Sequence, residues 1–365
     1  MTCEDLALIR DSARRHLADR FPLEATRALL DAPADSLDRE GWKSLADHGW
    51  LGMAIPEGFG GLGLSPIELC LVCEEMGRAL VPLPFTATAA MLPFALLRYG
   101  SEVQKQAWLP RIAAGEFAAT LGSADTPAGD PGLSFRDGKI SGAKSQLPDG
   151  LAADVALLMA REDDGDTLLL VDLRHAGVER NIVDSIDPTR PLARLLLDDV
   201  PAERIGAAGA GRSVMDRVLA DAVVPLAYEQ IGGAARCLET STSYARERFA
   251  FGRAIGSFQA IKHKLADVFA KVEIARLACE QAANSLARGA PDLEICAAAA
   301  RVAACDAYWV AAKENIQVHG GIGFTWEMDC HLFYRRSKLL GVTCGPAFVW
   351  KDRLARQLLE TEIGV

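Results

Sequence analysis

The chain has 365 residues, 50% of them hydrophobic and 24% charged, which is material for more than one packed core and about two to three domains. Its net charge is -10 and its pI near 5.2, with no long run of Lys and Arg, which argues against nucleic acid or an anionic membrane surface as partner. A small molecule or another protein is the expected partner.

Met1 to Phe21 carries Glu4, Asp5, Arg10, Asp11, Arg14 and Arg15 among its apolar residues and so lacks the uninterrupted apolar stretch of a signal peptide. No segment offers about 18 consecutive apolar residues without a charge, so no membrane span is expected and the chain reads as cytoplasmic. The first third has helical patterning. Ser65-Pro66-Ile67-Glu68 predicts a helix over Pro66 to Leu80, with a capping serine, a proline at the first helical position and a reciprocal bond from Glu68. Ser101 and Gln104 repeat the device before a helix over Val103 to Ala114.

From about Phe117 the period changes. Ala118 to Leu121, Lys139 to Ser141 after an Asp137-Gly138 turn, Val155 to Met159, Thr167 to Leu173 and Arg194 to Leu197 are short runs bounded by Gly, Pro and Asp, as in an antiparallel barrel or sandwich. After Gly211 the helical period returns. Ile261, Leu265, Val268, Val272, Ala275 and Cys279 make one stripe of a helix from Ser257 to Arg288, and Ile295 to Val318 carries another, which points to an antiparallel four-helix bundle. The expected fold class is therefore α+β, mostly α, in three domains: helical over 1–116, β over 117–212 and a helical bundle over 213–365. Nine cysteines, at Cys3, Cys70, Cys73, Cys237, Cys279, Cys296, Cys305, Cys330 and Cys344, form no small-domain framework and read as reduced thiols. The Cys70-Cys73 pair lies in a helical apolar pattern, where packing explains it better than metal or redox chemistry, and no metal site is expected.

Four motifs in order carry a family resemblance. They are Ile55 to Leu64 (IPEGFGGLGL), then Gln104-Lys105 through Leu109-Pro110 to Gly115-Glu116, then Arg246 to Asp267 (RERFAFGRAIGSFQAIKHKLAD), and Gln317 to Phe324 (QVHGGIGF). Together they resemble the acyl-CoA dehydrogenases, whose order of helical, β and bundle domains is the one read above. The resemblance implies FAD as cofactor and an acyl-CoA thioester as substrate, with electrons passed to an electron-transfer flavoprotein. It also implies that the bundle mediates oligomerisation, as a tetramer, and that Arg248, Phe251 and Gln259 help to hold FAD bound mainly by a neighbouring subunit. Gln317, Gly320 and Gly321 match the second cofactor contact, where small residues let backbone come close to the adenosine diphosphate half. A guanidinium such as Arg248 suits a pyrophosphate because it presents a planar fork of donors. His319 is expected to pack or to bond a carbonyl.

Two departures from the family pattern stand beside these matches. α,β-Dehydrogenation of a thioester needs a carboxylate to take the α-proton. The family places it either in the loop aligned with Cys344 or at a helical position aligned with Ala222, and neither holds Glu or Asp. Asp221 is turned about 100° away from Ala222 on a helix, Glu229 is about two turns away, and Cys344 would need a stabilised thiolate. The Thr-Glu-Pro and Gly-Ser-Asp elements that meet flavin align with Ala124 to Asp130, and the Trp-Ile-Thr strand with Gln146-Leu147-Pro148, so the groups that hold a subunit's own isoalloxazine are depleted. The groups that reach a neighbour's cofactor are kept. That asymmetry resembles the small subunits of heteromeric α2β2 members, as does Phe324-Thr325-Trp326-Glu327 running on to Tyr334-Arg335-Arg336; such pairs act on bulky acyl-CoA thioesters, including steroid side chains. Three readings stay open: a subunit that completes the FAD site of a catalytic paralogue, a self-sufficient homotetramer with a non-standard base, and a flavin-free scaffold or acyl-CoA-binding protein.

Overall fold

The computed structural model describes residues 3–31, 37–122 and 132–363. The chain forms two compact units. One gathers Met1–Ala28, Cys70–Val81 and Val223–Val365; the other gathers Leu29–Leu69 and Pro82–Ala222. The segment Ala124 to Asp130, aligned above with flavin-binding elements, lies outside the described residues.

In the second unit, α3 (Arg39–Asp47) starts at Asp38, whose carboxylate accepts from Gly41 N at 2.9 Å. A π-helical turn over Ala87–Met91 leads into α5 (Leu92–Tyr99). Helix α6 (Glu102–Ala113) has the full reciprocal cap expected of Ser101 and Gln104. The corresponding box at the start of α4 (Pro66–Arg78) is only half made: Ser65 Oγ accepts from Ile67 N at 3.2 Å, whereas Glu68 is buried and its Oε2 bonds to none of the described residues.

The β region comprises β1 (Ala119–Gly122), β2 (Leu133–Arg136), β3 (Lys139–Pro148), β4 (Val155–Glu162), β5 (Gly165–Asp172), β6 (Val178–Val183) and β7 (Leu192–Ile205). The path β4-β2-β3-β7-β5 returns to β4 and closes a barrel, with β1 added at β4 and β6 at β7. Its interior is filled by Leu133, Phe135, Ile140, Leu158, Leu169 and Leu195. The Asp137-Gly138 turn joins β2 to β3 with φ of 49° and 77°, the primed two-residue turn that suits twisted strands. Pairing is antiparallel except where β4 meets β1 and β2, which run parallel to it. The parallel entry is fixed by Asp154, whose carboxylate accepts from Ala118 N at 2.9 Å while Ala118 O accepts from Asp154 N and Val155 N.

The first unit holds α1 (Cys3–Arg20), α2 (Leu23–Ala28), the C-terminal half of α4 and the greater part of α7 (Gly211–Glu247). It continues with the hairpin strands β8 (Phe249–Ala250) and β9 (Arg253–Ala254), then α8 (Gln259–Arg288), α9 (Leu293–His319), α10 (Cys330–Val342) and α11 (Ala347–Ile363). The expected stripe on α8 is buried from Val268 through Val272, Ala275 and Cys279. Helix α9 is long and apolar enough to cross a membrane by length and composition alone, but Ala297, Ala300, Ala304, Ala307 and Ala311 are buried in the unit's core. Buried carboxylates on α4 are paired: Glu75 with Arg14 at 2.8 Å and Glu74 with Arg276 at 2.7 Å. Cys70 and Cys73 are buried thiols in the same helix.

Candidate functional site

Helix α7 ends where Tyr244 O accepts from Arg248 N at 2.8 Å, and the chain turns at once into the β8–β9 hairpin. The hairpin pairs Phe249 with Ala254 and Ala250 with Arg253, leaving Phe251 and Gly252 as a two-residue turn with φ of 53° and 77°. That turn demands left-handed backbone at both positions, which glycine accepts and a phenylalanine resists by about 1–2 kcal/mol. The ring receives no burial in exchange, since Phe251 is 95% exposed. Arg248 is exposed too, and its guanidinium makes no hydrogen bond or ion pair among the described residues. A 3-10 turn over Ile255–Ser257 then delivers Gln259, exposed, as the first residue of α8.

The second motif lies at the C-terminal end of α9. Helix α9 stops at Gly320, whose φ of 65° and ψ of -139° are open essentially to glycine alone. Gln317, Gly320 and Gly321 are exposed, and a Cβ placed on either glycine would meet nothing within 4 Å. Those two glycines therefore leave space that the chain itself does not fill. Gly323 differs, because a Cβ there would lie 2.6 Å from Ile316 O; it is a packing glycine.

Three contacts tie the motifs together. The His319 ring stacks on Tyr244 at 4.1 Å, Ser241 Oγ donates to Asn315 Oδ1 at 2.8 Å in the interior, and Lys264 pairs with Glu314 at 2.7 Å. The ends of α7 and α9 and the start of α8 thus converge, and the six residues Arg248, Phe251, Gln259, Gln317, Gly320 and Gly321 all face outward from them. His319 Nδ1 lies 2.8 Å from Asn315 O, so this nitrogen carries the proton. An open guanidinium, two exposed amides and two glycines over free space fit a cofactor with a pyrophosphate, which FAD has.

The positions where a base could stand are taken up by packing and ion pairs. Ala222 is buried in α7. Asp221 is paired with Arg98 at 3.0 Å and Arg217 at 3.3 Å, and buried Glu229 faces Arg336 at 3.9 Å. Cys344 is 4% exposed, with a left-handed φ of 59°, and its carbonyl accepts from Trp350 Nε1 at 2.9 Å. The loop around it is held by Arg301, which the sequence reading overlooked. This guanidinium is fully buried and donates to the carbonyls of Leu340 at 2.7 Å, Thr343 at 2.5 Å and Gly345 at 3.3 Å, and to Gln230 Oε1 at 2.5 Å. In the barrel, Gln146-Leu147-Pro148 falls at an irregularity of β3: Gln146 has a φ of 56° and points to solvent, Leu147 is buried, and Pro148 O accepts from Thr120 Oγ1.

Two histidines near the second motif are set for a pH response. Burial lowers the pKa of His319; burial, then Arg335 and Arg27, lower that of His331, with Asp329 opposing. Neither ring nitrogen of His331 has a hydrogen-bond partner among the described residues, and its ring meets Trp326 edge-on at 4.9 Å. Both imidazoles take up a proton less readily in the folded state than in the unfolded chain, whose histidines protonate below about pH 6.5, so stability present above that pH is lost as pH falls. Thermal unfolding between pH 8 and 5.5 should show a falling midpoint, and His319→Phe with His331→Phe should flatten the fall. A midpoint independent of pH over this range would contradict it.

Comparison with known proteins shows the family. The profile of the acyl-CoA dehydrogenase N-terminal domain matches residues 3–116, and that of the C-terminal domain matches residues 209–359. The chain belongs to the acyl-CoA dehydrogenase family. It is 32% identical over 337 residues to acyl-CoA dehydrogenase IpdE2 of Mycobacterium tuberculosis, covering 92% of this chain and 91% of that one. Among solved structures it is similar to a variant of the Tcur3481-Tcur3483 steroid ACAD, with a TM-score of 0.88 and 29% identity over 99% of both chains. It is likewise similar to the ChsE4-ChsE5 complex of Mycobacterium tuberculosis, with a TM-score of 0.86 and 28% identity over 99% of this chain and 98% of that one. As a member of this family the chain is an oxidoreductase-type flavoprotein whose cofactor is FAD.

Proposed function

We propose that this chain is the subunit of a heteromeric FAD-dependent acyl-CoA dehydrogenase that lacks its own catalytic base and completes the FAD site of a catalytic paralogue. One asymmetry carries the reading. The groups suited to a cofactor held elsewhere are exposed, and the Arg248 guanidinium has no partner among the described residues, whereas Asp221 and Glu229 are committed to arginines and Cys344 is buried in a braced loop. FAD, when bound, accepts the hydride that leaves the β-carbon of the acyl group. In this account Arg248 binds the pyrophosphate, Gln259 and Gln317 bond polar edges of the cofactor, and Gly320 and Gly321 let it approach the backbone. No residue of this chain takes the α-proton, so the base comes from the partner.

The likeness to the Tcur3481-Tcur3483 steroid ACAD and the ChsE4-ChsE5 complex supports the two-chain assembly, and the first of them supports a steroid-type acyl-CoA as substrate. The acceptor implied by the family resemblance is an electron-transfer flavoprotein. The test is oxidation of a steroid-side-chain acyl-CoA with an artificial electron acceptor. The chain alone should show no turnover and the pair with its catalytic paralogue should be active. Turnover by the chain alone would overturn the proposal and redirect the search to Cys344, Asp221 and Glu229.

A further inference from the structure

The β8–β9 hairpin has little to hold it. Each strand has two residues, and isolated two-stranded ribbons are marginal in water. Its tip is strained at Phe251, whose ring is 95% exposed. One side-chain assembly orders it. The Arg253 guanidinium lies over the face of the Phe258 ring at 4.1 Å from the centroid, and the edge of that ring system meets Phe251 at 6.2 Å with an interplanar angle of 87°. Both are favoured geometries, a cation on the negative face of a ring and two rings edge to face. Arg253 is exposed, and its guanidinium makes no hydrogen bond or ion pair among the described residues, so the ring of Phe258 is what the cation engages. Phe258 is also the residue immediately before Gln259, so the same ring fixes the start of α8.

We infer that Arg253 is a positioning residue for the flavin-contacting hairpin: it pins Phe258, which in turn holds Phe251 and the turn beside Arg248 in a preformed shape. This deepens the proposed function and rests on it. A preformed tip binds a cofactor more tightly because less ordering is left to binding.

Two experiments decide it. In hydrogen exchange on the chain alone, Arg253→Ala should speed exchange of the amides over 249–254 several-fold while α8 and α9 stay protected; unchanged exchange overturns the inference. In FAD titrations of the flavin-stripped complex with the catalytic paralogue, Arg253→Ala and Phe258→Leu should each weaken binding by about two- to fivefold. Arg253→Lys should restore most of the affinity, and the double variant should bind no more weakly than either single one. Unchanged affinity in Arg253→Ala overturns the role, and so do additive losses, which would mean that Arg253 touches the cofactor itself. A wild-type complex that takes up no flavin overturns the proposed function instead, and the exchange experiment alone then decides whether Arg253 orders the hairpin.

Discussion

Alanine at Gly232 should lower the thermal midpoint by about 4 °C, equivalent to about 3 kcal/mol, by prising α7 away from α4. A Cβ built at Gly232 would lie 1.9 Å from Glu74 O, and one at Gly77 would lie 1.8 Å from Glu229 O. Both obstacles are backbone carbonyls in helices and cannot rotate aside, so the helices must separate. Separation also disturbs buried Glu74, whose partners are Arg276 at 2.7 Å and Arg10 at 3.6 Å. Gly77→Ala should behave the same way. The control is Gly341→Ala in α10, where a Cβ meets nothing within 4 Å and helix propensity favours alanine by up to about 1 kcal/mol. Calorimetry that ranks Gly232→Ala with Gly341→Ala would refute the packing account.

The second large effect is expected at Arg301. Arg301→Leu keeps an apolar side chain of fair size in the core but strips donors from the carbonyls of Leu340 and Thr343 and from Gln230 Oε1. Leaving several buried acceptors unpaired should cost about 3–5 kcal/mol. The loss is local to the loop that carries Cys344, so it has a signature besides stability. Cys344, 4% exposed in the native protein, should become reactive toward a thiol reagent, while Cys237 and Cys279, buried elsewhere and with thiol pKa values raised by burial, should stay protected. Labelling read residue by residue by mass spectrometry checks this. A variant with native stability and a protected Cys344 would show that Arg301 does not brace the loop.

How far the sequence could be read depended on the range of the interactions involved. The Ser101-Gln104 cap and the Asp137-Gly138 turn were legible because each is made by residues three or fewer apart. Ser65 and Glu68 have the same spacing, yet Glu68 is buried and makes no cap, so burial overrode the local pattern. Strand β6 was missed because its residues, VERNIV, alternate weakly and lie half exposed against β7. The parallel entry of β1 beside β4 depends on Asp154 meeting Ala118, a contact across 36 residues that no local pattern reveals. In the site, the residues of the two motifs were singled out by their resemblance to the family pattern and are exposed in the structure, while Tyr244, which joins the motifs by stacking on His319, left no such signal. Arg301 did leave a signal: one cation inside the alanine run before Val302, on a helix whose neighbouring residues are buried, calls for a partner set.

The most direct measurement is the visible absorbance of the chain purified alone and again after co-expression with its catalytic paralogue, read as flavin per protein chain. The proposed function predicts no flavin bands from the chain alone and about one FAD per heterodimer. One FAD per chain in the solitary protein would contradict it, because the chain would then hold its own cofactor and the exposed residues around Arg248 would serve copies of itself.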